Sequence, residues 1–240
     1  MEAFVFRRKE VKYLLDDRQR LALEALLQQN MAPDVHQESL VCNVYYDTPD
    51  ARLIRRSLEK PVYKEKLRLR CYGTAREDTP VFLELKKKYK GVVYKRRITM
   101  DLGRAEACLA GDLQLPDSQI GREIDYFLRF YSGIRPAMYL SYLRHAYVGR
   151  EDPGLRVTLD TDVCFRTRDL TLALPPDGEM LLEPGQHLME VKTAEAMPLW
   201  LVHEITQLGI QKISFSKYGA AYLRLLTRRQ MESRGKNYAG

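Results

Sequence analysis

The sequence contains no apolar run approaching the roughly 18–20 residues that span a bilayer. Its opening, MEAFVFRRKEVKYLL, has no stretch of signal-peptide length. A cytosolic protein is therefore the expectation, with membrane association only through a partner. Cysteine is scarce and scattered. Cys42, Cys71, Cys108 and Cys164 form no CxxC and cluster with no histidine, which argues against a zinc site and a disulfide framework and leaves buried thiols. The four histidines offer no catalytic pattern: His36 and His187 fall at loop or strand edges, His203 on a helix, and His145 points away from Arg144. Trp200, the only tryptophan, suits a core position on an amphipathic helix. There is no internal repeat and no low-complexity tract, so 240 residues with 45 % hydrophobic content suit one large domain over residues 1–228, followed by an unstructured tail at 229–240.

Positive charge is present and concentrated. Residues 51–100 carry 16 Lys/Arg against 5 Asp/Glu, while the other 190 residues sum to −4. A basic field confined to one stretch points to a polyanion, either nucleic acid or phosphate.

The pattern of elements is α+β with a dominant antiparallel sheet. A strand near residues 4–14 precedes a helix capped by Asp16 or Asp17, with Leu21, Leu23, Leu26 and Leu27 on its apolar side. SLVCNVYYDT reads as a strand and RLIRRSLE as a short helix. KEKLRLRCYG, VFLELKKKY and VVYKRRITMD read as strands, the last two joined at Lys90–Gly91. Residues 103–131 read as helical with a break near Leu115–Pro116. Strands return at AMYLSYLRHAYVG, LRVTLDTDVCF, a short TRDLTLAL and HLMEVKT, and a helix started by Pro198 leads into KISFSKYGAAYLRLL.

Successive side chains in a strand point to opposite faces, so parity assigns each residue to a side. Lys64, Lys66, Arg68 and Arg70 oppose Leu67, Leu69 and Cys71. Glu84, Lys86 and Lys88 oppose Val81, Leu83 and Leu85. Lys95, Arg97 and Thr99 oppose Tyr94, Ile98 and Met100, with Arg96 as the exception. Glu10 and Lys12, then Arg156, Thr158 and Asp160, then Glu190 and Lys192 likewise stand opposite apolar partners. A solvated sheet face mixes signs because like charges on neighbouring strands repel. A face this cationic implies a closed eight-stranded β-barrel with a basic lumen, its apolar exterior covered by helices, holding something anionic.

Along nearly its whole length the chain resembles the VTC domain, the polyphosphate polymerase branch of the triphosphate tunnel metalloenzymes. The matching pieces run in order: RRKEVKYLL, VYYDTPD, KLRLRCYG, FLELKKK, YKRRI, YLRHAY, LRVTLDT, MEVKT and FSKY. The resemblance implies that Lys12, Arg68, Arg70, Lys86, Arg144, Arg156 and Lys217 act on phosphate groups, with Lys95 beside them. Tyr142 and Ser216 would donate hydroxyls. Glu190 would ligate a divalent metal, Mn²⁺ or Mg²⁺. Glu10, Lys66, Lys88, Arg97 and Lys192 complete the expected phosphate- and nucleotide-binding set. Where wider superfamily members open with ExExK, this sequence has Arg8, Glu10 and Lys12. That loss of the first acid is a mark of the VTC branch and favours transfer over hydrolysis. Ser214 stands where a lysine is expected, and Lys212 is its candidate replacement.

The implied activity moves the γ-phosphate of ATP onto polyphosphate, with no protein nucleophile, since the chain's terminal phosphate can attack. Glu190, helped by Glu10 and Glu84, would hold the metal. The alternatives are hydrolysis of triphosphate or polyphosphate, and non-catalytic polyphosphate binding. Nucleic-acid binding is disfavoured: Tyr94 falls on the apolar face, and Tyr63, Tyr72 and Tyr89 lie near strand ends rather than among the cations.

Overall fold

The computed structural model describes residues 9–237 apart from Gly91 and Glu195, with side chains described as far as Ser233. Arg8 lies outside the described residues. The elements are β1 (Lys9–Leu15), α1 (Asp17–Asn30), β2 (Met31–Asp47), α2 (Arg52–Leu58), β3 (Tyr63–Tyr72), β4 (Pro80–Tyr89) and β5 (Val92–Asp101). There follow α3 (Leu102–Ala110), α4 (Gln119–Phe130), β6 (Arg135–Gly149), β7 (Arg156–Arg166), β8 (Glu179–Met180), β9 (His187–Thr193), α5 (Leu199–Gln207), β10 (Lys212–Ile213) and α6 (Lys217–Asn237). α6 extends into the stretch from 229 expected to lack structure, and residues 238–240 lie outside the described ones.

Local chemistry sets the helix ends. Asp16 caps α1 in a reciprocal box with Gln19, and Ser118 accepts from the Gly121 amide to start α4. Gly111, at φ 91°, ends α3 in the left-handed conformation that favours glycine.

All ten strands belong to one sheet, in the order β10-β1-β9-β7-β6-β2-β3-β4-β5, with β8 paired to β7 off that path; every pairing is antiparallel. The expectation of a closed eight-stranded barrel is corrected on both points. There are ten strands, two of them only two residues long, and among the described residues no ladder joins β5 to β10 or β1. The sheet is nevertheless curled. Six strand steps separate β1 from β4, about 29 Å in a flat sheet, yet Glu10 Oε2 lies 3.9 Å from Lys86 Nζ. That contact crosses the interior of the curl, which leaves a trough with a concave and a convex face.

The convex face is apolar and covered. Cys42, Val44, Leu67, Leu69, Leu83 and Leu85 pack under α3 and α4, and Tyr13, Val157, Leu159, Met189 and Val191 pack under α1 and α5. Trp200 is half-buried against the second cluster. All four cysteines are free thiols, three buried and Cys164 half-buried. A third cluster lies on the concave side, where Val41, Tyr45, Leu140, Val163, Phe165 and Leu188 meet Tyr218 and Ala221 of α6. Asp162, at φ 50° beside a register shift between β6 and β7, reverses the parity of β7 and so extends this cluster. Val163 and Phe165 thereby join the side that Arg156 and Asp160 occupy.

One expected strand is absent. The alternating TRDLTLAL forms a loop, since the Arg166 guanidinium gathers the carbonyls of Asp169, Thr171, Pro175 and Asp177 and bends the segment around itself.

Candidate functional site: a cationic trough

The concave face is built in rows by strand register. Lys66 stands opposite Lys86, and Lys86 opposite Lys95. Arg68 is opposite Glu84, and Glu84 opposite Arg97. On the facing wall Lys12 pairs with Glu190, Glu10 with Lys192, and Arg156 with Lys192. Helix α6 enters beside them, carrying Lys217 at its first residue with Ser216 just before it. The trough thus brings together the sixteen residues expected of the site, though not on equal terms.

Three carboxylates organise most of the cations. Glu84 is almost fully buried, and burial alone would raise its pKa, but Arg68, Arg70 and Lys95 hold it far below the usual carboxylate range. Arg68 Nη2 lies 2.7 Å from one of its oxygens, and Lys95 Nζ and Arg97 Nη2 each lie 2.6 Å from the other. Glu84 is therefore fully engaged by cations, which corrects its expected part as a spare metal donor. Asp160, fully buried, receives Arg144 through two bonds of 2.6 and 2.8 Å and Lys217 at 2.5 Å. Lys217 and Arg144 also stand over the Tyr142 ring, 4.2 and 5.1 Å from its centre. Glu190 takes Lys12 at 3.4 Å and a close contact from Lys192, and it too is held low against its burial.

The remaining interactions fix orientation. Arg70 donates to Asn43 Oδ1 at 2.9 Å and to the Tyr142 hydroxyl at 3.2 Å. Arg68 donates to the Tyr45 hydroxyl at 3.1 Å, and the Tyr45 ring stacks on Tyr218 at 4.7 Å. Burial would raise the Tyr45 pKa, but Arg68, Lys66 and Arg70 bring it down to about 8.

The lysines of β3 and β4 differ from these. Among the described residues Lys66 has no acid partner and donates to Ser216 Oγ alone, at 2.8 Å. Lys64 donates to the Ser57 carbonyl at 3.2 Å. Among the described residues the one acid near Lys86 is Glu10, at 3.9 Å. Burial lowers all three, and the neighbouring lysines add to the effect for Lys64 and Lys66, bringing Lys66 to about 8. Burial also lowers Lys95 to about 8 in spite of Glu84. Lys88 and Arg156 lie at the ends of the trough. Lys88 is exposed opposite Lys64, and Arg156 is half-exposed and bonded to Asp34 at 3.2 Å.

Sequence reasoning passed over Asp160, Asn43 and Tyr45 as site residues. Parity did put Asp160 inward, and its place among cations was the available signal. Asn43 and Tyr45 sit in VCNVYY, where alternation is hidden because both faces are buried. The Arg96 exception resolves on the convex side, where Arg96 and Lys87 both bind Glu123 of α4, at 3.0 and 3.3 Å. Lys212 does not replace the lysine missing at Ser214. It is registered with Tyr13, whose side chain points away from the trough.

A metal is implied by the resemblance to tunnel metalloenzymes. Among the described residues no three or more His, Cys, Asp or Glu gather as a cage. Glu190 and Glu10 both lie 3.4 Å from Lys12 Nζ, which brings two carboxylates to one place on the trough floor. That donor set fits Mg²⁺ or Mn²⁺ held by one or two carboxylates together with phosphate oxygens, and not an all-protein site.

The fold is thus a curled antiparallel sheet with helices outside and a cationic concave face. The fold is shared with a Bacillus halodurans adenylate-cyclase-like protein, at a TM-score of 0.55 and 14 % identity over 87 % of this chain and 95 % of that one. It is shared also with an adenylyl-cyclase-like protein from Hippeastrum, described as having a dominant triphosphatase activity, at a TM-score of 0.52 and 17 % identity over 88 % and 93 %. The VTC domain matches residues 7–226, and the chain belongs to that family. Comparison with curated proteins gives no match.

Proposed function

We propose that the trough holds a chain of phosphates and transfers the γ-phosphate of ATP onto polyphosphate. The observation that carries this reading is the group Lys64, Lys66 and Lys86: like charges on adjacent strands, desolvated and, among the described residues, without a close acid. Such a group is tolerable only if an anion completes it.

Phosphoryl transfer asks the protein to neutralise charge and to hold attacking and leaving oxygens in line. Lys66, Lys86 and Lys64 supply point charges along one wall. Arg68 and Arg70 present guanidinium groups fixed by Glu84 and Asn43, and Arg144 and Lys217 are held facing them by Asp160. The hydroxyls of Tyr142 and Ser216 stand among these cations. A divalent metal, when bound, would polarise the phosphate oxygens. Glu190, beside Glu10, is the residue to hold it, with Lys12 and Lys192 orienting the carboxylate. The nucleophile is the terminal phosphate of the acceptor.

A second reading has a specific support: the fold relative from Hippeastrum is described by its triphosphatase activity. In the same trough, water in place of phosphate would give hydrolysis. Incubation with ATP and Mn²⁺ tests both. Long polyphosphate on a gel is the expected product, free phosphate without chains would establish hydrolysis, and neither product would overturn catalysis.

A further inference from the structure

On the convex side, α4 leans over β3 and β4 and leaves a cavity of about 340 Å³. Its walls are aromatic: Tyr63, Tyr126, Phe127, Phe130 and Tyr131. Tyr126 and Phe130 are mainly exposed, 65 and 55 %, although both are large and apolar, and their rings lie nearly parallel with centres 6.0 Å apart. At the cavity lies Glu65, a buried residue of β3 whose side chain points away from the trough.

Glu65 is held unlike the buried acids of the trough. Glu84, Asp160 and Glu190 each have two or three cations, whereas among the described residues Glu65 accepts from phenols alone, Tyr63 at 2.5 Å and Tyr131 at 2.9 Å. Burial and the Glu65 charge push the Tyr131 hydroxyl up to about 12 and Tyr63 higher still, so both remain donors at neutral pH. Lys87 lines the same cavity and stands opposite Glu65 in strand register, but it pairs with Glu123, and among the described residues no lysine, arginine or histidine lies within 4.0 Å of the Glu65 carboxylate. The second acid of the cavity, Glu123, already binds Lys87 and Arg96. Arg56 borders the cavity from α2 as an exposed side chain. A carboxylate has about four acceptor positions, so the two phenols leave Glu65 with free capacity.

We infer that this cavity binds an organic cation, an ammonium or guanidinium group whose charge meets Glu65 and whose apolar part lies along the exposed rings of Tyr126 and Phe130. Aromatic faces attract such cations, and a buried unpaired carboxylate supplies the charge complement. The cationic trough would repel the same ligand. The cation can arrive as a free small amine or as an arginine side chain of another polypeptide.

Calorimetric titration of the full chain with agmatine, and separately with acetyl-Gly-Arg-Gly-amide, distinguishes these sources by whether the free cation or the peptide binds more tightly. Binding of at least one probe is expected, weakened about tenfold or more by Glu65→Gln, which removes the charge-assisted contact. Tyr126→Ala should also weaken it, while tripolyphosphate affinity stays unchanged in both variants. Because Tyr126 is exposed, its variant keeps the test decisive should Glu65→Gln fail to fold. No binding of either probe at about 10 mM, or affinities equal in the wild type and the folded variants, would overturn the inference.

Discussion

The cations of the concave face form two sets that differ in what stands opposite them. Arg68, Lys95, Arg97, Arg144 and Lys217 are tied to Glu84 or Asp160, carboxylates buried to 99 % or more, whereas Lys64, Lys66 and Lys86 have at most one distant acid among the described residues. Burying a charge is tolerated when it is paired, and removing one partner leaves the other uncompensated. The paired set therefore belongs to the fold as much as to the site: it fixes guanidinium groups in place before any ligand arrives. The lysine set lacks such acids, and under the proposed function the bound phosphate chain completes it.

The largest expected effect falls on the paired set. Asp160→Asn leaves Arg144 and Lys217 facing each other without their anion and should destabilise the fold by about 3–5 kcal/mol, measured by urea denaturation. Added tripolyphosphate should restore part of the loss, because a ligand that binds only the folded state stabilises it. The lysine set should respond with the opposite sign. Lys66→Met removes a desolvated charge, so stability at pH 7 should rise while tripolyphosphate affinity falls by about tenfold or more, as expected for the loss of one charged hydrogen bond. If Lys66→Met destabilised the protein as Asp160→Asn does, the distinction between the sets would fail.

Glu190→Gln separates the metal reading from a purely structural ion pair. ATP turnover should drop by about tenfold or more and need more Mn²⁺, with nucleotide binding largely kept. Matching Mn²⁺ curves for wild type and variant would assign Glu190 to Lys12 and Lys192 alone.

The smallest effect is in pH. Lys66 and Lys95 titrate near 8 in the fold against 10.5 in an ordinary lysine, so between about pH 8 and 10 the unfolded chain binds more protons than the folded one. Tyr45, brought down to about 8 from 10, acts in the same direction. Stability from these groups should therefore rise across that window while phosphate affinity falls, because the trough loses positive charge. Lys66→Met should flatten both slopes.

The cationic face was legible wherever one side of a strand packs and the other does not. KEKLRLRC and VFLELKKK place Lys66, Arg68, Arg70 and Lys86 together by parity, and the structure has them so. Parity failed where a distant residue decides. Arg96 turns outward for Glu123, 27 positions away on a helix, and Asp162 reverses β7 at a bulge that nothing in LRVTLDTDVCF announces. Closure of the sheet was equally beyond it, since the face a side chain takes says nothing about whether the last strand meets the first. The division of cations into paired and unpaired sets depends on depth, and Glu84 and Lys86, two residues apart on one face, differ in just that.

The central claim is that phosphate binds the concave face, and comparing two charge removals on opposite sides of the sheet tests it directly. Lys66→Gln with Lys86→Gln removes two cations from the trough, and Lys87→Gln with Arg96→Gln removes two from the convex side, so the change in net charge is the same. In tripolyphosphate titrations at fixed salt, the trough pair should weaken binding by about a hundredfold and the outer pair by less than about threefold, a short-range effect distinguished from a screened long-range one. Equal weakening by the two pairs would contradict the account, because the anion would then be responding to net charge and not to the trough.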